Sequence, residues 1–518
     1  MVRLLNLSND TINRRAGLHK HSRTEVSVSW FKISELSMVT VANNNSSCNN
    51  KNESSIKQIE KFKSGQEQLF KLELSEEERK DLESQLKDLP EPSTLKAMFE
   101  TAMETDSKLK EAKESNLKPV NDESIMVSNR GSEQWKQWHR IGIEALRNGE
   151  CSVVTLAGGQ GTRLGSSAPK GCYKIGLPSG ASLFQLQAER VLKIEQLAGM
   201  KTPLSWYIMT SAPTHKPTVD FFEENDYFGL KKEQVKFFQQ GVLPAFDMEG
   251  KILMTSRGKI SVAPDGNGGI YKALEREGIL EDMKRKGIKY VHMYCVDNCL
   301  VKVGDPAFIG ACISSGTDCA AKCVEKTEPS ESVGVFCRNS KDELIVAEYS
   351  ELDAETAQAT NPETGRLLFG EANIANHFFT VDFLNKLTEG LSLPYHVARK
   401  KIPSINPITG ESGTTAGVKL EAFIFDVFER AEKPMLFRVP RFEEFAPLKN
   451  APGTPKDSPE YCANLLFSLH RKYLKEAGAQ VDADGKYELS TSLTYEGEGL
   501  ESFKGKEIKI SEIPAFLK

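Results

Sequence analysis

Histidine is scarce in this chain, with 8 among 518 residues. Nothing in the sequence sets one of them up as the base of a Ser-His-Asp arrangement, so nucleophilic hydrolase chemistry is not supported. Cysteine is also sparing, at 10. Cys151, Cys295 and Cys323 lie inside apolar runs and read as reduced core residues of an intracellular protein. The pairs Cys295/Cys299 and Cys319/Cys323 have CxxxC spacing, but no CxxC and no histidine cluster accompanies them, which argues against zinc. No run of about 18 apolar residues is present, which excludes a membrane-spanning helix. No excess of positive charge exists either: the formal net charge is −5, with both signs scattered. Nucleic acid and anionic membrane surfaces are therefore poor partners.

The length exceeds a typical single domain and leaves room for one large domain with appendages. The first 37 residues carry Arg14-Arg15 and lack the apolar block of a secretory signal; Met38 is an alternative start. The Asn/Ser-rich stretch 41–55 cannot bury a core, so residues 1–65 read as a disordered tail. Residues 66–148 read as a helical N-terminal module. Ser75 and Glu78 form a capping box ahead of Leu82, Leu86 and Leu89, and a second helix runs from Ser132 to Asn148-Gly149 with Trp135 and Trp138 on its core side.

From 149 to 439 short apolar runs ("CSVVTLA", "LSWYIMT", "YVHMYCV", "AAKCVEK") alternate with helical stretches such as 182–198. That alternation predicts an α/β fold, with a mainly parallel or mixed sheet covered by helices and ligands beyond the carboxyl ends of its strands. Residues 440–518, with one helix over 459–477 and short polar strands, read as a small C-terminal α+β domain that closes on the site.

The stretch "LAGGQGTRLGSSAPKG", 156–171, follows the first of those strands. Its glycines bring bare backbone N–H groups against an anion, and Arg163 and Lys170 supply fixed cations on the same loop. It is not a Walker A loop, because Ser166 rather than lysine follows Gly165. It is a poor dinucleotide fingerprint too, since no acidic residue closes "LSWYIMT" to hold a ribose hydroxyl.

"LAGGQGTRLG" with "PKG" is similar to the nucleotidyltransferase signature of the sugar-nucleotide pyrophosphorylases. "FFQQGVLPA" (237–245), "APDGNGG" (263–269), "YCVDNCLVKVGDP" (294–306), "VEKTEPSESVGV", "EYSE" (348–351), "EANIANHFF" and "FAPLKNA" resemble, in order, the eukaryotic UDP-N-acetylglucosamine pyrophosphorylases. The resemblance implies a Rossmann-like nucleotidyltransferase core and a cytoplasmic enzyme, monomer or weak homodimer. UTP and N-acetylglucosamine 1-phosphate would be its substrates and Mg²⁺ its cofactor. It implies that Leu156, Ala157, Gly158 and Gly159 approach the uridine and its phosphates, that Arg163 and Lys170 hold the departing pyrophosphate, and that Gln240 and Gly266 read the uracil edge. Asn267, Glu348 and Asn373 would hold the sugar, Asp297 the metal, and Lys419 and Lys449 the phosphates from the other side. Lys419 is expected to open a helix, "KLEAFIFDVFERA". A surface ion pair is the plain alternative for Arg163, and a helix N-cap for Asp297. The sequence carries Glu371-Ala372 before Asn373, where the family tends toward glycine. A broader hexose-1-phosphate pyrophosphorylase, an NAD(P) oxidoreductase and a silent nucleotide-binding protein are the rival readings.

Overall fold

Eleven strands, one of them the two-residue Lys118–Pro119 at the edge, pair into one twisted sheet in this computed structural model, which describes residues 59–111, 117–389 and 393–508. The others are β1 (Ile125–Val127), β2 (Cys151–Leu156), β3 (Ser205–Thr210), β4 (Val235–Gln239), β5 (Tyr290–Cys295), β6 (Cys319–Glu325), β7 (Val335–Arg338), β8 (Leu344–Ala347) and β9 (Glu371–Thr380). The ribbon strands β10 (His396–Ile405) and β11 (Ser412–Glu421) stand apart, and β12 (Pro434–Arg438) returns to the sheet. Along its main path the order is β1-β12-β6-β9-β5-β2-β3-β4. β9 runs antiparallel to both neighbours, and every other pair on this path is parallel. All residues of β2 and β3 are buried, as strands covered on both faces must be, which is why they read as continuous apolar runs.

After β2 the chain builds β3 and β4 on one side and then returns to lay β5 on the other side of β2. That reversal opens a crevice beyond the carboxyl ends of β2 and β5, where open α/β sheets place their ligands.

The helices follow their caps. Ser75 and Glu78 make the expected capping box of α1 (Glu76–Lys87), which is followed by α2 (Pro92–Glu111). Ser132 caps α3 (Glu133–Arg147), and Ser182 caps α4 (Leu183–Ala198). Asp305 caps α5 (Pro306–Ser315), and Ser458 caps α6 (Pro459–Glu476). Residues 61–65 are helical and bury Phe62. The tail read as disordered lies, up to residue 58, outside the described residues.

The described residues from Lys61 onward fold as one unit with several cores. Leu82 and Leu86 of α1 and Leu95 and Phe99 of α2 pack with Phe246, Val418 and Leu420 behind the ribbon. Trp138 of α3 packs edge-on against Phe437 of β12, with ring centroids 5.7 Å apart. Leu466, Phe467 and Leu474 of α6 share a core with Leu164, Leu183 and Leu186, next to the glycine-rich loop.

Candidate active site

The glycine-rich loop leaves β2 at Leu156. Val296 donates to the Leu156 carbonyl at 3.1 Å and Ala157 donates to that of Met209 at 2.8 Å, so the loop starts on neighbouring strand ends. It then closes on itself: Gly161 donates to Ala168, and Lys170 donates to the carbonyl of Gly159 at 3.1 Å. The glycines do different jobs. A Cβ on Gly158 would lie 2.2 Å from Gln240 Oε1, and one on Gly171 would lie 2.1 Å from the Phe184 ring. Gly165 has φ +74°, a left-handed turn residue. Gly159 alone faces the crevice with no protein atom within 4 Å of its absent side chain, so backbone is bare where a ligand approaches.

Closure of the loop brings Lys170 across to β5. Its Nζ stands 3.5 Å from Asp297 Oδ2, and both side chains are one-fifth exposed. Asp297 does not cap a helix; the next helix is α5, capped by Asp305. Asn298 fixes the neighbourhood, donating from Nδ2 to the Glu444 carbonyl (2.7 Å) and accepting from Ala446 N–H (3.0 Å). Leu448 donates to the carbonyl of Asp297 at 2.9 Å and Cys299 to that of Ala446 at 3.1 Å. Segment 444–448 is thus paired, strand-like, to 297–299, and Lys449 follows directly.

Leu156, Gly158, Gly159, Lys170, Gln240, Gly266, Asn267, Asp297 and Lys419 line one cleft of about 350 Å³. Ala157 is buried beneath it. Gly266 has φ +89°, and a Cβ there would meet the Ala422 carbonyl at 2.2 Å, so only glycine fits where this loop passes the end of the ribbon. Asn267 uses Oδ1 to accept Ile424 N–H at 2.9 Å. Arg163 sits exposed on a short 3₁₀ turn, Thr162–Leu164, outside the cleft lining, and makes no ion pair among the described residues.

Glu348 and Asn373 stand off this cleft. Burial, and then Glu351, push the Glu348 carboxyl up, while His396 and Lys449 pull it down, so these groups form one electrostatic neighbourhood. Asn373 accepts Ala375 N–H at 2.9 Å, where a bulge in β9 turns the chain through Ala375 at φ +50°. Glu371, just before it, is held by Arg438 Nε (3.0 Å) and Nη2 (2.5 Å), and Ala372 is fully buried. This pair therefore needs no glycine.

One expectation is corrected. Lys419 does not open a helix; it lies in β11, paired with Ala398 of β10, and the following helical turn begins at Ile424. Val418 and Leu420 alternate into the core behind the ribbon, which turns Lys419 toward the cleft. A period-2 pattern decided where a helical reading had been made.

A family model described as UTP–glucose-1-phosphate uridylyltransferase matches residues 93–517. The chain belongs to that family. Among similar members is UDP-N-acetylglucosamine diphosphorylase 2 of Arabidopsis thaliana, 45% identical over 466 residues, which cover 86% of this chain and 90% of that one. UDP-N-acetylglucosamine pyrophosphorylase of Saccharomyces cerevisiae is 45% identical over 401 residues, covering 76% and 83%. Of the solved structures, a Trypanosoma brucei uridine diphosphate N-acetylglucosamine pyrophosphorylase in complex with inhibitor superposes with a TM-score of 0.75 at 32% identity, covering 83% and 90%. A Leishmania major UDP-glucose pyrophosphorylase mutant shares the fold at 18% identity, with a TM-score of 0.54 and coverage of 80% and 81%.

Three residues escaped the sequence reading of this uridylyltransferase. Lys400 and Glu421 line the cleft from the ribbon, 4.0 Å from each other. His396 Nε2 lies 3.1 Å from Asp426 and the ring rests 4.2 Å from that of Phe423. Burial opposes its charge, but Asp426 overcomes this and raises the imidazole pKa. Lys400 sits in a run of exposed residues, 399–401, with no alternation to mark it, and nothing local in the sequence joins His396 to Asp426. The other sheet histidines are inert. Burial pushes His292 down to about 4 and His377 to about 3.

Proposed function

We propose that the chain transfers the uridylyl group of UTP to N-acetylglucosamine 1-phosphate, releasing pyrophosphate and UDP-N-acetylglucosamine. The observation that carries this reading is the meeting of Lys170 and Asp297, 3.5 Å apart at the carboxyl ends of adjacent strands, beside the bare backbone of Gly159. The Arabidopsis and yeast relatives, named for N-acetylglucosamine, support the choice of sugar.

A sugar-phosphate oxygen attacks the α-phosphorus in line with the departing pyrophosphate. That oxygen is already ionised, so no general base is needed, and positioning with charge neutralisation supplies the catalysis. Gly158, Gly159, Gln240 and Gly266 hold the nucleoside, Lys170 and Arg163 the leaving phosphates, and Lys419 and Lys449 the incoming phosphate. Asn267, Glu348 and Asn373 hold the sugar.

Asp297 fits Mg²⁺, which takes one or two protein carboxylates and draws its remaining ligands from phosphate and water. Among the described residues no group of three His, Cys, Asp or Glu is placed to hold a metal, so phosphate and water would supply most of the ligands beside Asp297. When bound, the ion supplies neutralisation of phosphate charge.

The test is pyrophosphate release from UTP and Mg²⁺ with a panel of sugar 1-phosphates. N-acetylglucosamine 1-phosphate is expected to be turned over fastest. Turnover with glucose 1-phosphate alone, the sugar in the family description, overturns the amino-sugar reading. No pyrophosphate with any sugar overturns the enzymatic one.

A further inference from the structure

Behind the site lies a network of buried charges that the reaction does not touch. Lys322, on β6, is fully buried. It reaches Asp305 at the start of α5 (2.5 Å) and also the carboxylate of Glu444. Glu444 is 2% exposed and takes a second cation, Lys302, at 3.3 Å. Lys302 in turn meets Glu496 of the C-terminal segment at 3.2 Å. Four chain segments, 302–305, β6, Glu444 and Glu496, contribute three carboxylates and two ammonium groups.

Burying such groups costs several kcal/mol each, and well-packed apolar side chains of the same volume usually do as well or better for stability. The network must therefore be judged by what it fixes. Glu444 is the residue whose carbonyl Asn298 grips, and it opens the segment 444–448 that is paired to 297–299. Asp297 emerges from one side of that pairing and Lys449 from the end of the other. The side chain of Glu444 is pinned from behind while its main chain is pinned from the front.

We propose that Glu444, held by Lys322 and Lys302, is a positioning residue that sets Lys449 against Asp297. The inference rests on the reading of Lys449 as a phosphate-binding residue. Lys449 is partly buried, but a lysine stem on a loop still samples several rotamers, and fixing the loop at its root narrows where the ammonium can reach.

The test is the full chain carrying Glu444→Gln, which keeps shape and main-chain bonds but removes the charge that two lysines hold. The expected result is a roughly tenfold to hundredfold fall in kcat with KM for UTP within about twofold, in a protein whose melting transition remains cooperative. In a Lys449→Ala background, Glu444→Gln is expected to cost nothing further, because what it positions is gone. Should Glu444→Gln not fold, the charge-balanced Lys322→Met/Glu444→Met double variant is used, and the same kcat loss and coupling are expected. A folded variant with wild-type kcat overturns the proposal alone. So does a loss that multiplies fully with that of Lys449→Ala. A Lys449→Ala enzyme with undiminished turnover overturns the reading of Lys449 and the proposal together.

Discussion

Asp265 illustrates what single residues give up for the site. It precedes Gly266, donates its N–H to the Gly241 carbonyl at 3.2 Å and accepts Ala422 N–H at 2.8 Å, so its backbone ties Gln240-Gly241 to the end of the ribbon. Its side chain fares worse: it is 8% exposed and Oδ1 has no hydrogen-bond partner. Burial pushes the carboxyl from 3.8 up to about 6, against the pull of a backbone hydrogen bond, Arg276 and Lys272. The consequence for stability has a definite sign. Below about pH 4 the group is largely neutral in both folded and unfolded chains; between about 4 and 6 the unfolded chain ionises it while the folded one does not, so stability is lost as the pH rises through that window and the full cost is reached above it. Two units correspond to about 3 kcal/mol. Asp265→Asn should therefore leave stability at pH 4 nearly unchanged and raise it by up to about 3 kcal/mol at pH 8. Denaturant melts of both proteins at the two pH values check this. Equal differences at both would show that Oδ1 finds water.

Helices and strands meet the site through contacts that only small residues allow. α3 and α5 cross with backbones nearly touching: a Cβ on Gly142 would lie 1.9 Å from the Pro306 carbonyl, and one on Gly310 would lie 1.8 Å from that of Trp138. Neither neighbour is the end of a flexible side chain, so Gly310→Ala must push the helices apart, at a cost of about 1–3 kcal/mol. A denaturant midpoint unchanged from wild type would show that the pair slides without loss. That contact explains a limit of sequence reading. The strands and caps were legible because buried parallel strands are unbroken apolar runs and Ser75, Ser132 and Ser182 announce their helices locally. The glycine loop was legible because its composition makes sense only against an anion. Gly142, Gly266 and Gly310, by contrast, are glycines for partners more than 100 residues away. Lys419 was misplaced in a helix because "KLEAFIF" suits either period, and only pairing with β10 decides between them. Arg163 and Lys170 share a loop, yet only Lys170 lines the cleft.

At the scale of the whole molecule the proposed substrates are bound by different parts of the chain. The switch-point loops of β2 and β5, the loop at Gly266 and the ribbon line one cleft, where the nucleotide is proposed to bind. Of the residues proposed for the sugar phosphate, Asn267 and Lys419 share that cleft, whereas Glu348 after β8, Asn373 at the bulge of β9 and Lys449 from the segment beyond β12 lie off it. If this division is functional, the two ligands stabilise the protein separably. A ligand that binds only the folded state adds RT ln(1 + [L]/Kd), about 2.7 kcal/mol at a hundred times Kd. UTP alone should raise the melting temperature of both the wild-type and the Lys449→Ala protein, because Gly159, Lys170 and Gln240 are intact in each. Addition of N-acetylglucosamine 1-phosphate with a non-hydrolysable UTP analogue should raise it further in the wild type and not in Lys449→Ala. Thermal melts with each ligand alone and together make the measurement. Loss of the UTP shift in Lys449→Ala would place Lys449 on the nucleotide and erase the division between the two sides.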